Sequence, residues 1–188
     1  IGVRLVGSEM CIRDRDSLLE YIPDPLVIFP RANLQNEVTV TLHPGARVLL
    51  GEALVLHDPD LSGQVFDSYA SETLVRDAAG NLLVRDRFRI EGHTLQSKRP
   101  GINGRYQAQG SFFALTASDP APALLAALRQ AIEPIPGIYA AASALPNGAG
   151  AWMRLLAEDA IGLRQAIQAA WVAMRIKFTG LTPASKRK

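Results

Sequence analysis

The segment at residues 46–56, ARVLLGEALVL, limits the possible folds more than any other part of the chain. It is an almost continuous apolar run rich in Val and Leu, much shorter than the roughly 20 residues of a membrane-spanning helix and too apolar for a strand with one wet face. A strand of this kind has to be covered on both sides, so the rest of the chain must supply a layer above and a layer below it. One residue interrupts the run. By the two-residue period of a strand, Glu52 falls on the face shared by Val48, Leu50, Leu54 and Leu56.

The surrounding sequence has the same strand-like character from residue 18 to residue 115, in short runs broken by Pro, Gly and Asp or Asn. Residues 38–42, VTVTL, alternate apolar and polar side chains as a half-buried strand does, and His43-Pro44-Gly45 turns the chain after them. Residues 72–91 predict two strands joined by Asp77-Ala78-Ala79-Gly80-Asn81, with Leu82, Val84, Phe88 and Ile90 on one face. Leu83, Arg85, Arg87 and Arg89 line the other face, which is expected to meet water. Further strands are expected at 105–115 and in a hairpin at 138–156, turning around Pro146-Asn147-Gly148-Ala149-Gly150. Two segments switch to helical period. Leu124, Leu125, Leu128 and Ile132 form a stripe over 122–132, and Asp159 can cap a longer helix to about Phe178, striped by Leu163, Ile167, Ala170, Trp171, Met174 and Phe178. The expected fold is mainly β with two α-helices, ending in a β-hairpin flanked by those helices.

With 188 residues, 48% hydrophobic and 20% charged, the chain suits one domain with a sizeable core and does not fit a disordered or coiled-coil class. A formal net charge of +2 gives no nucleic-acid footprint, and the basic run Lys186-Arg187-Lys188 is expected to be a solvated tail. The only cysteine, Cys11, rules out an internal disulfide framework and suits a reducing compartment. Residues 1–15, IGVRLVGSEMCIRDR, lack the h-region of a secretory signal and resemble read-through of a sequencing adapter. They are expected to be a non-native leader, with 16–188 a single domain truncated at its N-terminus.

Asp86 repeats the oddity of Glu52, since it shares its strand face with Val84, Phe88 and Ile90. An unpaired carboxylate among aliphatic side chains is costly, so each must be salt-bridged, turned outward by a bulge, or set along a wet path where oxygen ligands could pass a divalent cation. His43, His57 and His93 have no metal-ligand spacing and sit beside turns. The chain has no P-loop, no G-x-S-x-G elbow and no H-E-x-x-H. Asp24, Glu52, Asp67 and Asp86 could supply the carboxylate pair of a glycosidase, although only 6% of residues are aromatic and could stack on sugars. Trp152, Met153, Trp171 and Met174 read either as core or as a protein-binding patch.

Leu19-Glu20-Tyr21-Ile22-Pro23-Asp24-Pro25, with Val27-Ile28-Phe29-Pro30 and Ala32-Asn33, is similar to the "LEYLPDP-x-IPF-x-x-A" stretch of the UreD/UreH family of urease accessory proteins. Residues 46–56 with Glu52 resemble its next apolar strand, and Gly63-Gln64-Val65-Phe66 its "G-E-x-F" step, with Gln64 in place of the glutamate. Leu82 to Ile90 with Asp86-Arg87 resembles the "acidic-Arg" strand. Tyr139-Ala140-Ala141-Ala142-Ser143, Met153-Arg154-Leu155-Leu156 and Trp171-Val172-Ala173-Met174-Arg175 resemble the C-terminal hairpin and last helix. The resemblance covers residues 17–188.

What it implies is a helix-decorated, β-helix-like fold without catalytic activity, acting in the cytoplasm. Such a scaffold binds UreF and, through it, the GTPase UreG, and delivers nickel to apo-urease without a tightly bound cofactor, by a tunnel on which Glu52 and Asp86 match acidic positions. It implies neither a nucleic-acid nor a membrane partner. The rivals are a β-helical carbohydrate-active enzyme using paired carboxylates and a plain protein-binding module.

Overall fold

In the computed structural model, which describes residues 16–58 and 62–184, the demand of the apolar run for two covering layers is met by a sheet on one side and helices on the other. The leader with Cys11 and the terminal basic run lie outside the described residues.

The chain begins with β1 (Leu18–Tyr21) and β2 (Leu26–Ile28), which lie parallel to the same later strand, Leu19 beside Val48 and Val27 beside Val55. Pro23 and Pro25 separate them, because a proline cannot donate to a strand ladder. The chain then crosses to a second sheet as β3 (Asn33–Leu42), returns as β4 (Arg47–Leu56), and crosses again as β5 (Ser68–Asp77), parallel to β3. Strands that alternate between two sheets and return parallel to their predecessors form a β-helix-like coil. β6 (Leu82–Ile90) ends it by pairing antiparallel with β5 through the expected hairpin, where Asp77 accepts from the amides of Ala79 and Asn81 at 2.9 Å each. Arg85, Arg87 and Arg89 are exposed on its outer face as expected, but Leu82 is 46% exposed and Leu83 packs against a buried cluster, the reverse of the expected faces, because the β5–β6 register shifts between Val75 and Arg76.

A single-turn helix, α1 (Gly92–Gln96), has no counterpart in the sequence expectations. β7 (Ala108–Thr116) runs antiparallel to β4, and every one of its residues is buried. Then come α2 (Ala121–Ile132), the hairpin β8 (Ile138–Ala144) and β9 (Gly150–Ala157), and α3 (Ala160–Thr179). The first sheet has the order β1-β4-β7-β9-β8, with β2 beside β4, and the second has the order β3-β5-β6. The two long helices pack on the outer face of the first sheet, where Leu49, Phe112, Met153, Leu124, Leu163 and Met174 join one buried cluster. Asp159 caps α3 by accepting from the Gly162 amide at 2.7 Å, and Gly180 closes it at a left-handed φ of 70°. Met153 and Met174 are fully buried and Trp152 and Trp171 half-buried, so these four residues are core rather than a docking patch.

Candidate functional site

The inner faces of the two sheets are not uniformly apolar. Along β4, Leu49, Ala53 and Val55 point to the helices, whereas Val48, Leu50, Glu52 and Leu54 point to the second sheet. Val48 and Leu50 belong to an apolar cluster with Leu42, Val75, Val84 and Phe113, and Leu54 belongs to another with Ile28, Phe66 and Leu95. Between the two clusters runs a polar seam. The register of the first sheet places Glu52 beside Ser111 and Ser111 beside Arg154; that of the second places Val38 beside Thr73 and Thr73 beside Asp86. Asn36, Tyr69 and Ser71 complete the row from the second sheet, with the Asn36 amide donating to Ser71 Oγ at 3.4 Å.

Glu52 and Asp86 have different fates in this seam. The Tyr69 hydroxyl donates to Glu52 Oε1 at 2.5 Å, and no arginine neutralises that carboxylate among the described residues. Burial pushes the Tyr69 phenol above its ordinary range, and the charge and hydrogen-bonding of Glu52 push it further, while Ser71 and Asn36 pull the other way. The phenol therefore stays protonated at neutral pH and acts as a donor. Asp86 instead accepts from Arg154 Nη2 at 2.5 Å.

Glu52, Tyr69, Asn36 and Thr73 line a cavity of about 200 Å³ that reaches the exposed Tyr21 and Asp24 at the break between β1 and β2. At roughly 30 Å³ per water, such a volume has room for several solvent molecules beside an acceptor. Asp86 is not part of its wall. A larger cleft of about 500 Å³ lies between α3 and Pro23-Asp24-Pro25, but it holds neither Glu52 nor Asp86.

His57 stacks edge-on against Phe29 at 4.7 Å and His93 lies 3.3 Å from Glu91, so neither joins the seam. Among the described residues no three His, Cys, Asp or Glu side chains are grouped to hold a metal ion. Sequence reasoning singled out the two carboxylates but missed Tyr69, Ser71, Thr73, Ser111 and Arg154. The available signal was the inward period of β5, Tyr69, Ser71, Thr73 and Val75, whose two middle members are only 3% exposed.

Fold and seam together define a class: a three-layer protein built on a short β-helix-like coil, with helices outside and an internal layer bearing carboxylates. The chain belongs to the UreD urease accessory protein family, whose model matches residues 13–188. It is 40% identical over 177 residues to the urease accessory protein UreD 1 of Pseudomonas syringae pv. syringae, a match covering 94% of this chain and 62% of that protein. It is 36% identical over 173 residues to the UreD 1 of Methylorubrum extorquens, covering 92% of this chain and 58% of that one. The chain thus spans about three fifths of the length of the curated relatives it matches. No helix among the described residues is long and apolar enough to cross a membrane.

Proposed function

We propose that this chain acts in the cytoplasm as a non-catalytic scaffold of urease maturation, docking UreF and, through it, UreG, and passing Ni²⁺ to apo-urease along the seam between its sheets. The observation that carries this reading is Glu52: a carboxylate inside a cavity, held by the neutral Tyr69 hydroxyl rather than by an arginine, which leaves oxygen lone pairs free for a passing cation. Nickel is cargo here rather than a resident cofactor. A single carboxylate with hydroxyl and amide neighbours makes a hard, weak oxygen site, and weak sites release what they bind. Asp86 is the second acidic station on the route.

The test replaces Glu52 and Asp86 with alanine in a full-length relative carrying both. Urease activation is expected to fall while the variant still co-purifies with UreF. Unchanged activation would remove the two carboxylates from the route, and loss of UreF binding together with activation would point to a docking defect instead.

A further inference from the structure

The seam continues from Glu52 on β4 through Ser111 on β7 to Arg154 on β9, and Asp86 meets Arg154 from β6. Ser111 is 1% exposed, and neither its hydroxyl nor the Nε of Arg154 has a partner among the described residues. A buried polar atom left unsatisfied costs about 1–3 kcal/mol, so these two atoms in adjacent strands are places where the seam can take up a polar ligand. Glu52, at the near end of this row, opens onto the cavity at Asp24 and Asn36. At the other end of the row the Arg154 and Asp86 side chains are 32% and 19% exposed.

The guanidinium of Arg154 stands at that end. It donates to Asp86 Oδ2 and lies 5.0 Å from the ring centres of both Phe88 and Trp152. We propose that Arg154 is a charge plug, a fixed internal cation that occupies Asp86 and closes this end of the row to divalent cations entering at Glu52. Asp86 becomes a ligand for Ni²⁺ only when the guanidinium leaves it. This deepens the cation-route reading above and rests on it.

Three features suit Arg154 to that role. A partly buried ion pair is no more stabilising than a well-packed apolar pair, so packing alone does not require a charge here. A guanidinium offers a planar fork of donors and no acceptor, so it can hold a carboxylate but cannot itself ligate a metal cation. Its Cζ lies over the rings of Phe88 and Trp152, which places the positive charge where a second cation would meet repulsion in a medium less screening than water.

The experiment measures Ni²⁺ binding to the purified full chain by equilibrium dialysis, with circular dichroism to confirm folding. In R154M, which keeps the packing against the two rings but removes the charge, binding is expected to tighten about tenfold, the scale of losing one nearby like charge. D86N added to R154M should abolish that gain, and R154K, which retains the charge, should stay within about twofold of the unaltered protein. If R154M binds as the unaltered protein does while E52Q binds more weakly, the plug is wrong and the route survives. If neither R154M nor E52Q changes binding, both are wrong. Should R154M unfold, R154Q, whose amide keeps a donor for Asp86, is read by the same criteria.

Discussion

Tyr69 on β5 donates its hydroxyl hydrogen to Glu52 on β4, so the one hydrogen bond to the Glu52 side chain among the described residues crosses from the second sheet to the first. The contact joins the two layers at the point where each interrupts its own apolar face, and it leaves Glu52 otherwise unneutralised.

Y69F removes that donor, and with it the phenol oxygen that faces Ser71 and Asn36. A hydrogen bond to a charged group contributes about 1.5–3 kcal/mol, so urea denaturation should show a loss of that order at neutral pH. The native phenol titrates above its ordinary 10.0, which means that the folded state holds its proton more tightly than the unfolded chain does. This contribution is complete below about pH 10 and is lost as pH rises toward the native value. The unaltered protein should therefore lose stability above pH 10 more steeply than Y69F.

At the other end of β4, the Arg47 side chain donates to Asp119 Oδ2 at 2.8 Å and holds that carboxyl below its ordinary range, with help from Thr116 and against a burial cost. The sign is opposite to that of Tyr69: the stabilisation is present above the ordinary value of 3.8 and disappears as pH falls through the lower native value. D119N should cost up to about 1 kcal/mol at pH 7, the usual scale of a solvent-accessible pair. The difference between the two proteins should shrink on acidification.

D159A strips α3 of its N-terminal cap, and the Gly162 amide loses its partner. A loss of about 1 kcal/mol is expected by chemical denaturation, because Ala cannot accept that hydrogen bond. D159S, which can accept it, should recover most of the loss.

Gly110 lets α3 approach the first sheet. A Cβ there would lie 2.9 Å from Leu163 Cδ1 and 3.2 Å from the Glu52 carbonyl oxygen. G110A should destabilise by about 1–3 kcal/mol, as overpacking usually does, and L163A in the same chain should relieve part of it despite its own cost.

The parts of this architecture that were legible in the sequence are those with a local cause. The double-sided burial of β4, the hairpin between β5 and β6, the outward arginine row and the Asp159 cap each follow from side-chain period or from a turn within a few residues. Glu52 and Asp86 were visible for the same reason, as carboxylates on the wrong face of an apolar row. The helix α1 was not visible, since Gly92-His93-Thr94-Leu95-Gln96 is too short to show a helical period.

Sequence alone thus determined the strand-rich stretch, the two long helices, most of the buried faces and the two carboxylates out of place among them, because backbone geometry ties each side chain's direction to its near neighbours; the bulge that reverses Leu82 and Leu83 gave no such local sign. Tertiary structure alone decided that Glu52 would be met by Tyr69 and Asp86 by Arg154, two pairings that span 17 and 68 positions of chain. Strand period states which way a side chain points. What it points at depends on which strands the coil brings face to face, and that is settled by the packing of the whole molecule.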